Sequence, residues 1–320
     1  MSSAESRVYA ALRYARGVLA ALILCVLVLF ADPKALVTLL LSVKFVPTLL
    51  LFLFSFVLLS LSVLKWRYLI MAFGRRVPIT TLFSLYLVGY FVNSFLPSQV
   101  GGDIARSVSL SKSVGRKESF AATLLERYTG LLAMLFLALV SVSLGHGPGY
   151  VLSLIVLGFC GIIGVGTGLV LSSASWRVLS RFMPSSKLRT TATTFRDALL
   201  SVALQPKVVV ITMLFSVLFH LCTAVNTLIA AYAIGWDSAS FASILIVLPF
   251  ILLVGALPLT PSGIGVQEGA FFFFLTQIGA SPSHALCIAA LLRVKVLFVG
   301  IIGGLVWACG SIRGKETSGK

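Results

Sequence analysis

Six stretches of this chain, residues 17–31, 46–64, 119–144, 149–173, 208–235 and 284–312, are predominantly apolar. A helix that crosses the hydrocarbon core of a bilayer needs about 20 such residues. The first stretch is short and follows Arg7, Arg13 and Arg16, the flank expected of a secretory leader. Its end, Leu29-Phe30-Ala31-Asp32-Pro33, lacks a small-x-small cleavage site, so it reads as an uncleaved first helix. Composition agrees, because 59% of the residues are hydrophobic and 11% charged. A soluble domain carries about 25% charged residues. This chain cannot clothe a soluble surface, and its solvent is lipid. Five cysteines, Cys25, Cys160, Cys222, Cys287 and Cys309, are scattered singly through apolar runs, without metal or redox spacing. They read as small core residues.

Two further apolar runs are interrupted. Residues 79–96 lead into Pro97-Ser98-Gln99-Val100-Gly101-Gly102-Asp103, and residues 240–259 into Thr260-Pro261-Ser262-Gly263-Ile264-Gly265-Val266-Gln267-Glu268. Each reads as an apolar helix that breaks at proline and glycine and then resumes. Broken backbone is tolerated at membrane depth only where protein or a water-filled cavity satisfies it. The expected fold is therefore an all-α polytopic membrane protein with about six transmembrane helices and two re-entrant helical hairpins.

The basic residues give an orientation. With both hairpins not crossing, twenty Lys and Arg fall on the side of the termini and only Lys34 and Lys44 on the other. Both termini are then cytoplasmic, in a bacterial-type inner membrane, under the positive-inside rule. The net charge of +16 is thus an orientation signal rather than a nucleic-acid surface. The hairpins enter from opposite faces. They also align in sequence: Pro97-Ser98 with Pro261-Ser262, Val100-Gly101 with Ile264-Gly265, and the following arginines Arg127 and Arg293. An inverted-topology pseudo-repeat is expected, with cores at 79–144 and 239–312. Residues 1–312 form one membrane domain, and 313–320 a cytoplasmic tail. Residues 174–207, rich in Arg and Lys around Trp176, Phe182 and Phe195, form a cytoplasmic amphipathic connector on anionic lipid.

Asn93-Ser94-Phe95-Leu96-Pro97, Gly101-Gly102-Asp103 with Arg106, Glu126-Arg127, and Pro261-Ser262-Gly263-Ile264-Gly265 with Glu268-Gly269 carry a resemblance. In this order they resemble the lysylphosphatidylglycerol synthase transmembrane-region family, a flippase-like domain that also forms the membrane half of the multiple peptide resistance factor. The resemblance covers nearly the whole chain and implies a role in lipid or glycolipid translocation. The soluble aminoacyl-transferase half of the bifunctional members has no counterpart here, so lysine transfer to lipid is not expected.

The intramembrane charges are Asp103, Arg106, Glu126, Arg127, Glu268, Arg293 and Lys295. An Asp, Lys or Arg costs ~2.5–3.5 kcal/mol at a helix centre, so such a group persists where it is paired, near an interface or useful. Arg127 and Arg293, with Arg106, are candidates for an anionic head group, because a guanidinium offers planar, bidentate donors to phosphate. Salt bridges to Glu126, Glu268 or Asp103 are the competing account. Asp103, Glu126 and Glu268 are candidates for coupling or gating, and Asp103 and Glu268 equally for helix capping. Pro97, Gly101, Gly102, Pro261, Gly263 and Gly265 make the broken backbone. His220 and Asn226 lie six apart in one span and do not share a face, and His220 reads as a hydrogen-bonded core residue. Gly164 and Gly168, and Gly300 and Gly304, have the spacing of close helix contacts.

The expected function is translocation of a lipid or lipid-linked precursor whose anionic head group binds between the two repeats. The partners are membrane lipids, phospholipid or polyprenyl-phosphate-linked, and not nucleic acid; a homo-oligomer is left open. A membrane-embedded transferase using Asp103 and Glu126, or a small-solute or ion-coupled carrier, is the alternative. With no metal cluster, nucleotide loop or catalytic domain in view, no cofactor and no enzymatic role are expected.

Overall fold

The computed structural model describes residues 3–95, 101–143, 150–182, 185–255, 257 and 259–317. Among them all regular structure is helical. The order is α1 (Ser3–Phe30), α2 (Pro33–Leu41), α3 (Phe45–Ala72), α4 (Ile79–Phe95), α5 (Gly101–Val114), α6 (Arg116–Ser143) and α7 (Tyr150–Leu171). Then come α8 (Ser173–Leu179), α9 (Ser186–Ala203), α10 (Pro206–Ile234), α11 (Phe241–Gly255), a 3-10 turn at Pro261–Gly263, α12 (Val266–Gln277) and α13 (Pro282–Thr317).

Helices α3, α6, α10 and α13 each contain a stretch long and apolar enough to cross a membrane. Two bent pairs, α1 with α2 and α7 with α8, bring the number to six if each pair is one span. Residues 17–31 and 149–173 are thus followed by sharp turns of 88° and 95° rather than by loops. The sequence reason is local. Asp32 adopts φ 44° and caps α2 by accepting from the Lys34 N–H at 3.1 Å, with Pro33 opening the helix. Ser172 caps α8 through the Ser175 N–H at 3.4 Å. Helices α4 and α11 have 17 and 15 residues, roughly 25 and 22 Å, too short to cross about 30 Å of hydrocarbon.

The chain forms two compact units. The first comprises Met1–Leu59, Phe83–Arg106 and Leu221–Lys320. In it α12 packs on α11, α13 and α1, while α13 also meets α2. Ile244, Leu248, Ile251, Phe274, Leu275 and Ile288 fill its core. The second comprises Ser60–Leu82 and Ser107–His220, where α6 packs on α7 and α9, with Ala121, Ala122, Ala133 and Ala138 buried along it. Small residues let spanning helices approach closely. Large apolar side chains such as Phe30, Phe45, Leu214 and Ile301 cover the outer faces, the reverse of a soluble protein.

Three expectations are corrected. Span 46–64 continues to Ala72, so Lys65 is a buried helical residue rather than part of a loop. Of the cysteines only Cys287 is buried; Cys25 and Cys309 are exposed on their helices. Gly300 and Gly304 do pack closely, against Ser94 and Phe91, but a Cβ on Gly164 or Gly168 would meet nothing within 4 Å.

Candidate functional site

The second broken segment is described from Leu259 onward, while Ala256 and Pro258 lie outside the described residues. Ser262, Gly263 and Gly265 take φ of 51°, 69° and 83°. Left-handed backbone of this kind cannot continue an α-helix. Glycine is required at 265, where a Cβ would also press on the Ala20 carbonyl at 3.0 Å. The turn exposes carbonyls at membrane depth, and Arg293 of α13 collects them. Its Nη1 donates to the Ser262 oxygen at 3.1 Å and its Nη2 to the Gly263 oxygen at 3.4 Å. Nη2 also reaches Gln267 Oε1 at 3.3 Å, and Nε donates to Glu268 Oε1 at 2.7 Å. The other Glu268 oxygen accepts from the Gly265 N–H at 2.7 Å and so caps the start of α12. Arg293 therefore satisfies the break from one side and Glu268 from the other.

Pro97, Ser98, Gln99 and Val100 of the first break lie outside the described residues. Beyond them α5 begins at Gly101. Asn93 Oδ1 of α4 accepts from the Gly102 N–H at 2.6 Å, and a Cβ on Gly102 would run into the Gly89 carbonyl oxygen. Only glycine permits so close an approach of α5 to α4. Asp103 pairs with Arg106 one turn along, Oδ1 accepting from Nε at 3.1 Å and Nη2 at 3.0 Å. The buried Arg106 guanidinium also stands over the Tyr86 ring, 4.1 Å from its centre. The backbone oxygen of Asn93 accepts from Ser262 Oγ at 3.0 Å. Asn93 therefore ties the two broken segments together within the first unit.

Beside the second break, helices α10 to α13 enclose a cavity of about 80 Å³. Leu252, Phe271, Ala289, Leu292 and Val296 form its apolar walls, and Thr223, Asn226, Thr227, Gln267, Glu268, Arg293 and Lys295 its polar ones. Lys295 donates from Nζ to Asn226 Oδ1 at 2.6 Å, and Asn226 Nδ2 donates to the Leu51 carbonyl at 3.3 Å. Thirteen residues of α13, roughly 20 Å, precede Lys295, so its charge sits deep along the span.

The remaining candidates belong to the second unit. Arg127 lies on the exposed face of α6, and Glu126 beside it is buried. The Glu126 backbone carbonyl accepts from Lys65 Nζ at 2.7 Å, and His220 Nε2 lies 3.1 Å from the Gly130 oxygen. The structure thus brings Arg106 and Arg293 each onto a carboxylate in the first unit, and places Arg127 in a different setting from Arg293. Among the described residues no three His, Cys, Asp or Glu side chains come together as metal ligands.

Asn93, Asn226, Ser262, Gln267 and Lys295 were not singled out by sequence as site residues. Lys295 had a signal, a cation inside an apolar run. Asn93, Ser262 and Gln267 had only their place in or beside the broken segments, and Asn226 had none, because an amide in a long helix is as compatible with packing as with a site.

Residues 16–304 match the family described as the lysylphosphatidylglycerol synthase TM region. A UPF0104 membrane protein of Methanothermobacter thermautotrophicus is 25% identical, with the match covering 72% of this chain and 75% of that protein.

Proposed function

The chain belongs to the lysylphosphatidylglycerol synthase TM region family, and on that premise we propose that it carries the anionic head group of a lipid or lipid-linked precursor across the bilayer. The cavity among α10 to α13 carries this reading. Seven of its twelve lining residues are polar or charged, although it lies among helices of a lipid-exposed chain. Polar groups at such depth are retained where a pathway uses them. The head group passes along the polar lining while the acyl or prenyl tails stay in lipid. The reading is of a carrier rather than a transferase. The two broken segments act as counterparts inserted from opposite faces, with both termini in the cytoplasm of the cell membrane. The uneven distribution of Lys and Arg supports that orientation. Arg293 keeps the break open.

The test is reconstitution in liposomes with head-group-labelled phospholipids and polyprenyl-phosphate lipids, comparing wild type with Arg127→Ala and Arg293→Ala. Movement of one lipid class that falls in folded variants is the expected result. Absence of movement for every lipid, with and without a proton gradient, would overturn the reading.

A further inference from the structure

We infer that Lys295 is the anion-recognising group of the α10–α13 cavity, and that the site takes a phosphate ester carrying one net negative charge. The inference rests on the transport reading above and assigns that site its ligand charge and its selecting residue. Three charged side chains line the cavity. Two of them, Arg293 and Glu268, are held by one another at 2.7 Å, and three of the four other Arg293 N–H groups go to Ser262, Gly263 and Gln267. The third, Lys295, donates to the neutral amide of Asn226, and among the described residues it makes no ion pair. The cavity therefore holds one positive charge in excess.

An ammonium has three N–H donors, so Lys295 keeps two for a ligand beside the one given to Asn226. Gln267 turns Oε1 toward Arg293, which leaves its amide N–H groups as further donors on the cavity wall. Two donor groups, one of them charged, suit phosphate oxygens, and the one carboxylate on the wall, Glu268, is already engaged by Arg293 and the Gly265 N–H. About 80 Å³ admits a phosphate group but not acyl chains, so the tails remain outside.

The full chain in detergent is offered equal amounts of phosphatidylglycerol and phosphatidylcholine, with and without inorganic phosphate, and retained lipids are counted by native mass spectrometry. Wild type is expected to retain the anionic lipid in about tenfold preference, the worth of one charge-assisted contact. Folded Lys295→Met should lose that preference, Lys295→Arg should keep part of it, and Gln267→Met should lower it about threefold by removing one neutral donor. Equal preference in wild type and Lys295→Met overturns the inference, as does an unchanged preference in Gln267→Met should Lys295→Met not fold. Stabilisation by inorganic phosphate without lipid preference overturns the lipid source and keeps the anion site. Transport measured on the same preparations separates the two readings. Selective binding without movement sinks transport alone, and movement indifferent to Lys295→Met and to head-group charge sinks this inference alone.

Discussion

Arg293 commits Nε, Nη1 and Nη2 to Glu268, Ser262, Gly263 and Gln267, so its first duty is to hold an irregular backbone together. Removing it strands the Glu268 carboxylate among apolar helices. Arg293→Ala is expected to destabilise the protein in detergent by ~3 kcal/mol, and Arg293→Met with Glu268→Leu should recover part of that loss. A thermal transition unchanged in the single variant would contradict this role. Lys44 and Asp237 provide the contrast, because their 2.8 Å pair is exposed on both sides. Lys44→Ala should cost under about 1 kcal/mol. The charges of the site were legible in the sequence because a Lys, Arg or Glu stands out in an apolar run. Their partners were not, since pairing across 25 residues between Glu268 and Arg293 depends on how α12 meets α13. Asn93 and Asn226 were legible only as polar side chains in helices.

At the scale of elements, apolar run length located the spanning helices well, and the short run 240–259 did end at a break, while 79–96 leads into residues outside those described. The bends after Phe30 and Leu171 were missed because each is set by a capping residue, Asp32 or Ser172, that looks from sequence like an ordinary loop residue. Glycine spacing alone was a poor guide to contact. Helix α13 lies so close to α4 that a Cβ on Gly303 would overlap the Leu87 carbonyl oxygen, whereas Gly164 in α7 faces open space. Gly303→Ala should therefore cost about 1–3 kcal/mol through overpacking. Gly164→Ala should be neutral or gain up to about 1 kcal/mol from helix propensity. Equal thermal stability of the two variants would mean that α13 and α4 are not in this close contact.

For the whole molecule, the same composition that rules out a soluble fold leaves orientation to the basic residues. With Lys65 set aside as buried in α3, nineteen of those counted from sequence fall on one side in the six-span arrangement and two on the other. In a variant lacking the native cysteines, a cysteine at Lys315 should resist an impermeant thiol reagent in intact cells and one at Asp237 should react. The reverse pattern would invert the orientation. The division of the chain into two compact units was not legible, because its boundaries fall inside apolar helices such as α3 and α10.

The passage of a head group through the α10–α13 cavity is tested most directly by plugging it. Thr227 lines the cavity, and Leu214 of the same helix is exposed outside it. Transbilayer movement of labelled phosphatidylglycerol is measured in proteoliposomes carrying Thr227→Cys or Leu214→Cys on a cysteine-free background. Each is assayed before and after stoichiometric modification, checked by mass, with a bulky thiol reagent. Movement should fall to the protein-free rate in modified Thr227→Cys and persist in modified Leu214→Cys. Undiminished movement in fully modified Thr227→Cys would contradict the account.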